Sequence, residues 1–219
     1  MKALLDVIAR HRQGQPLGLT SICCAHPIVI EASLRHALKH DEGLVLFEAT
    51  CNQVNQDGGY TGMTPADFVS FVRDIARKVG FDAARIALGG DHLGPNPWTA
   101  MDADAAMAKA ETMVAAYVAA GFRKIHLDCS MACAGDPVPL PESEIVMRAV
   151  RLCTAAEAAH AQAGGEPPVY VIGTEVPVPG GATEAIEGLA VTAPEAALAT
   201  IQAHRQAFAA AGLDRKSVV

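Results

Sequence analysis

The residues best able to do chemistry begin with an adjacent pair, Asp91 and His92, in the stretch "LGGDHLGPNPW". A neutral imidazole binds a divalent metal, and a neighbouring carboxylate can move a proton that the metal has acidified. Adjacent residues of a regular strand face opposite sides. Both members can therefore reach one site only if the chain leaves the pleat, as Gly89-Gly90 and the Gly94-Pro95 turn allow. The competing reading is that Asp91 caps a turn while His92 packs in a loop. His126 and Asp128 stand two apart in "KIHLDCSM" and so share a strand face, and a carboxylate is costly to bury without a partner. His126 could equally be a hydrogen-bonded core histidine. Glu175, in "VIGTEVPVPGG", places a further acid at the end of an apolar run.

A second group could hold a ligand. The segment "CNQVNQDGGYTGMTP" (51–65) is polar and glycine-rich. Asn52 and Gln53 offer amide donors and acceptors, Gly58 and Gly59 let the backbone approach closely, and Tyr60 can cover a sugar face. Together they suit a hydroxylated or phosphorylated ligand. Glu48 is a candidate at the mouth of the same site, and Ser130 stands beside Asp128. His11, His36, His40, His160 and His204 fall on expected helices and read as surface residues.

Positioning these groups requires alternating strands and helices. The apolar runs 17–26, 44–51, 85–90, 124–131 and 168–176 read as strands. Segments 27–40, 65–80, 105–121, 141–162 and 192–212 read as helices. Pro27 and Thr64-Pro65 mark two helix starts, and Thr192 with Glu195 suggests a capping box. An amphipathic helix precedes them, with Leu4, Leu5 and Ile8 on one face and Gly14 ending it. Five β-then-α units joined by short turns mean a parallel sheet. A doubly wound sheet would show a Gly-rich phosphate loop after its first strand, and "CCAHPIV" is not one. A (β/α)8 barrel places polar residues at the C-terminal ends of several strands. Here those ends carry His26, Asn52, Asp91-His92, Asp128 with Ser130, and Thr174-Glu175, so the pattern favours the TIM-barrel class.

Eight such units take about 250 residues, while this chain has 219 and about five units. Residues 1–213 read as the N-terminal part of a single barrel domain. The closing "DRKSVV" (214–219) back-translates, with a following stop codon, to a common short-read sequencing adapter, so it is expected to be a non-native tail. Net charge is −7 with both signs scattered, which argues against a nucleic-acid or anionic-membrane surface and favours small-molecule chemistry. Six cysteines without a C-x-x-C pair suggest a reduced, cytoplasmic protein. No signal peptide or membrane span is expected at the charged N-terminus.

The four stretches "FEATCNQVNQDGGYTGMTP", "LGGDHLGPNPW", "IHLDCSM" and "VIGTEVPVPGG" together resemble the GatZ/KbaZ family, and the likeness runs from the N-terminus to about Gly212. That resemblance implies a (β/α)8 barrel about twice as long as this chain. It implies a non-catalytic subunit that stabilises and activates a separate catalytic class II tagatose-1,6-bisphosphate aldolase in galactitol or N-acetylgalactosamine catabolism. Members have also been described as tagatose-6-phosphate kinases, yet nothing here resembles a nucleotide-phosphate loop. By further similarity to catalytic class II aldolases, Asp91 matches the proton-transfer acid and His92 a zinc ligand. Asp128 and Glu175 resemble acidic positions beside that metal. The family's later "HSTDYQ"-like stretch is not present in these residues, so the resemblance implies a Zn2+ site begun here and completed in the full-length protein. A free-standing metal-dependent sugar or sugar-acid epimerase or aldolase is the alternative, because a purely structural subunit has little need of these residues.

Overall fold

The apolar runs become strands and the amphipathic segments become helices in the computed structural model, which describes residues 2–173 and 193–213. The order is α1 (Lys2–Arg12), β1 (Ser21–Cys23), α2 (Pro27–Lys39), β2 (Val45–Thr50), α3 (Pro65–Val79) and β3 (Ile86–Leu93). It continues with α4 (Ala103–Ala120), β4 (Lys124–Leu127), α5 (Glu142–Ala163), β5 (Val169–Ile172) and α6 (Pro194–Ala210). Pro27 and Pro65 occupy first-turn positions, and Thr64 closes a reciprocal capping box with Asp67. α6 has Ala193 at its cap; Thr192, like Glu175 and the tail 214–219, lies outside the described residues.

The five strands form one parallel sheet in the order β1-β2-β3-β4-β5. Each crossover advances the chain by one strand in the same direction. A doubly wound sheet reverses at a switch point; this progressive order is that of a (β/α) barrel, with about five units in the chain.

Alternation along the strands separates two faces. Phe47, Ala49, Leu88, Ile125, Leu127 and Tyr170 belong to the core shared with Ile30, Leu34, Phe68, Val72, Met113 and Val114 of the helices. The opposite, inner face carries Ser21, Cys23, Glu48, Gly89, Asp91, Lys124 and His126, as the paired register requires. The apolar side thus fastens the sheet to its helices and leaves the polar side for chemistry.

Two expectations need correction. Leu5 is exposed, and α1 instead turns Leu4 inward with Val7 and Ile8 half-buried beside it, the i, i+3, i+4 spacing of a single helical face. His204 is not a surface residue: it is 1% exposed, its Nδ1 lies 2.9 Å from the Thr200 carbonyl, and its ring packs edge-on against Phe208. A helical position says nothing about which face is covered, and here the covered face includes a histidine whose ring nitrogen finds a partner one turn back.

Candidate metal centre on the inner face

Asp91 and His92 reach one site because the chain leaves the pleat at that point. Gly90 pairs with Ile125 and Leu93 with Leu127, so two residues of β3 stand opposite the single residue His126 of β4. This is a β-bulge, and it re-aims one side chain. His92 takes φ 50°, a left-handed conformation uncommon for a residue with a side chain. The bulge turns both side chains toward His126. Asp91 Oδ1 lies 3.0 Å from His126 Nδ1 and 3.1 Å from His92 Nδ1. The two imidazole centroids are 4.4 Å apart. Ligand atoms of Asp91, His92 and His126 all fall within 4.8 Å of one another, and they form the one such group among the described residues.

Exposure divides this cluster. The Asp91 and His126 side chains are 17% and 16% exposed, against 41% for His92, which opens the cluster to the solvent side. Burial alone would raise the Asp91 carboxyl. The hydrogen bond with His126, the charge on His92 and a thiol hydrogen bond from Cys23 outweigh it and hold the group below the ordinary carboxylate range. Cys23 itself is pushed up to about 12, by burial first and then by the Asp91 charge. It stays a protonated donor facing Asp91. All six cysteines are free thiols; Cys51 and Cys129 are core residues, while Cys23 lies on the inner face beside the site.

Asp128 does not join His126. Strand β4 ends at Leu127, so the two-residue alternation no longer governs the next position. The buried Asp128 carboxylate turns back on its own loop, where Oδ1 accepts from Ser130 N at 3.1 Å and from Ser130 Oγ at 2.6 Å. This Asx-type turn occupies both Asp128 and Ser130. Beyond it, Asp136 and Glu144 hold the buried Arg148 guanidinium at 2.9 and 3.0 Å and pin the β4–α5 connection to its helix.

Glu48 is not at the mouth. It is 2% exposed and lies one layer beneath the cluster, with Oε1 2.5 Å from Lys124 Nζ and Oε2 accepting from Ser21 Oγ at 2.5 Å. In the loop after β2, most amides are turned inward. Gln53 Oε1 accepts from Thr50 N, and Asn55 bridges the Cys51 carbonyl to the N–H groups of Asp57 and Gly59. Gly59 lies against the Asn52 and Gln53 carbonyls so closely that a Cβ would strike them. Asn52 and Tyr60 remain presented to solvent, Tyr60 at 73% exposure. His26 caps α2, its Nδ1 accepting from Ile28 N.

The part of the cluster that the expected ligand set leaves out is His126. The signal for it was present in the alternation that put His126 on the inner face, whereas its pairing with Asp91 depends on a one-residue register shift that the sequence does not print.

The match to known proteins is close and covers most of this chain. The family model for the D-tagatose-1,6-bisphosphate aldolase subunit GatZ/KbaZ-like proteins matches residues 4–218. A protein named D-tagatose 6-phosphate 4-epimerase from Agrobacterium fabrum is 54% identical over 97% of this chain and 50% of its own length. A D-tagatose-1,6-bisphosphate aldolase subunit GatZ from Escherichia coli is 56% identical over 94% of this chain and 49% of its own length. The crystal structure of a probable tagatose 6-phosphate kinase from Sinorhizobium meliloti superposes with a TM-score of 0.78 at 53% identity, covering 90% of this chain and 46% of that one. The chain spans about half the length of the relatives it matches. Fold, motif set and identity agree: this chain belongs to the GatZ/KbaZ-like family.

Proposed function

We propose that the chain serves tagatose-1,6-bisphosphate breakdown as a stabilising and activating subunit of a separate catalytic class II aldolase, within galactitol or N-acetylgalactosamine catabolism. The observation that carries this is the 56% identity, over 94% of the chain, to proteins named as the GatZ subunit of that aldolase. A subunit implies a catalytic partner, and a cytoplasmic setting suits sugar-phosphate catabolism. Among the described residues no helix is long and apolar enough to cross a membrane.

The donor set fits a divalent transition metal such as Zn2+. Two imidazoles and a carboxylate converge, the ligand types such ions take. His126 Nδ1 faces both the His92 N–H at 3.3 Å and the Asp91 carboxylate at 3.0 Å. A ring Nδ1 that accepts from the His92 backbone N–H cannot also donate to the Asp91 carboxylate, so in that tautomer the Nδ1 and Oδ1 lone pairs face each other. His92 and His126 would hold the ion, with Asp91 completing the set or standing beside it as the proton-transfer group. A bound Zn2+ supplies Lewis-acid polarisation of a substrate oxygen. Asp91, anionic at neutral pH, can take up a proton at Oδ1, and Asn52 and Tyr60 offer a hydroxylated sugar phosphate an amide and an aromatic face.

This same cluster favours a second reading, a metal-dependent sugar-phosphate epimerase; the Agrobacterium relative is named a D-tagatose 6-phosphate 4-epimerase. The test adds the chain to a catalytic class II aldolase subunit and follows cleavage of tagatose 1,6-bisphosphate. In parallel, the chain alone is assayed on tagatose 6-phosphate. A several-fold gain in aldolase activity or half-life, with no turnover by the chain alone, supports the accessory role. Turnover of tagatose 6-phosphate by the chain alone supports the epimerase. No effect in either assay sinks both.

A further inference from the structure

Directly below the Asp91 layer, the inner face carries a second polar row. Cys23 pairs with Glu48, Glu48 with Gly89, and Gly89 with Lys124, so four neighbouring strands contribute one residue each to the same level. Glu48 and Lys124 sit on β2 and β4, two strands apart, and meet across β3. They can do so because position 89 is glycine: a Cβ there would run into the Glu48 carboxyl group. Two residues further along the same face come Asp91 above Gly89 and His126 above Lys124, a rise of about 7 Å.

A buried ion pair rarely earns its place through stability. Its desolvation cost offsets most of its Coulombic gain, and a well-packed apolar pair does as well or better. The Glu48–Lys124 pair is 2% and 19% exposed, and Ser21 occupies the second carboxylate oxygen. Its position under two imidazoles supplies a different use. An ammonium carried one inner-face level below a cation site, about 7 Å of strand rise, repels a divalent ion in the weakly screened interior unless an anion neutralises it.

We propose that Glu48 and Lys124 form a charge-balanced floor beneath Asp91, His92 and His126, in which Glu48 cancels the Lys124 ammonium and so sets the affinity of the cluster for a divalent cation. This rests on the metal-binding reading above. Glu48 and Lys124 are positioning residues in this scheme: they touch neither metal nor substrate.

The experiment measures Zn2+ affinity of the full chain by competition with a chromophoric chelator, together with the visible absorption bands of the Co2+-loaded protein. Wild type is compared with Glu48→Gln, Lys124→Met and the double variant. Removing Glu48 alone leaves the ammonium uncompensated, so Glu48→Gln should weaken Zn2+ binding at least about tenfold. Lys124→Met should bind no more weakly than wild type, and the double variant should return to within about twofold of it. The Co2+ bands should keep their shape throughout, because the ligands are unchanged. Where Glu48→Gln does not fold, Glu48→Met removes the same charge with an apolar side chain. Equal weakening in all three variants, or altered Co2+ bands, would mean that the pair merely holds the sheet together, and would overturn the proposal while leaving the metal site intact. Absence of Zn2+ binding by the wild type would instead sink the metal-binding reading and this proposal with it.

Discussion

Gly94→Ala is the substitution that most directly tests how β3 and β4 are locked together beside the cluster. Gly94 follows β3 immediately, and a Cβ added to it would overlap the Asp128 carbonyl oxygen. That oxygen cannot withdraw easily. Asp128 N donates to the Leu93 carbonyl at 3.0 Å, and the Asp128 carboxylate is tied to Ser130 N. The two backbones must part. Overpacking of this kind costs about 1–3 kcal/mol, and loss of the Asp128–Leu93 hydrogen bond adds about 1 kcal/mol. The total is about 2–4 kcal/mol. At about 2–4 °C per kcal/mol for a domain of this size, Tm falls by roughly 4–16 °C. Calorimetry or a thermal melt followed by circular dichroism reads this, with Gly18→Ala as control. Nothing lies within 4 Å of a Cβ at Gly18, and its φ is not positive. Its Tm should hold or rise slightly, since alanine narrows the unfolded ensemble. If Gly94→Ala and Gly18→Ala melt together, the contact between the two loops is not what joins the strands there.

Tyr117→Phe removes a buried hydroxyl that donates to the Val54 carbonyl at 2.8 Å and lies near the Thr50 carbonyl; urea unfolding should show a loss of about 1–2 kcal/mol. Asp91→Asn should flatten the acid limb of the stability curve. The Asp91 carboxyl is held below its ordinary range, so its contribution is complete above about pH 4 and is lost as pH falls through the folded value. The stability difference between wild type and variant, followed by urea titration from pH 6 to pH 3, should therefore shrink on acidification; a difference that grows would refute the assignment.

How much of this was legible in the sequence differs by element. The parallel sheet was readable because each strand is a short apolar run closed by a polar residue and followed by a helix start that carries its own mark, Pro27 in one case and Thr64-Pro65 in another. The site was legible only in part, because periodicity fixes a side chain's face and not its layer. Glu48 alternates with Phe47 and Ala49, which correctly sets it on the inner side, but nothing in "LFEAT" says whether that level is the mouth or the floor. The level is set by register, Glu48 opposite Gly89 opposite Lys124, a relation among three strands that no single stretch contains. The same holds for Asp128, which sequence spacing places with His126 only if the strand runs one residue further than it does.

The pair Gly89-Gly90 shows why such sites resist reading from sequence. In the sequence it suggests a chain free to leave the pleat. In the fold both residues remain paired within β3, and each makes room on a different face. Gly89 lets Glu48 and Lys124 meet on the inner side, and Gly90 leaves space for Leu93 and the Tyr117 ring on the helix side. The departure comes one residue later, at Asp91 and His92, where a bulge costs a left-handed backbone at His92. Backbone strain of this kind, about 1–3 kcal/mol, persists only where the surroundings over-determine it. Here Tyr117 below, His126 opposite and the close approach of Gly94 to Asp128 hold the bulge from three sides. A regular strand at the same place would send Asp91 and His92 to opposite faces and leave His126 a single acid for company. The bulge is therefore the feature that turns an acid–imidazole dipeptide into a three-ligand cluster.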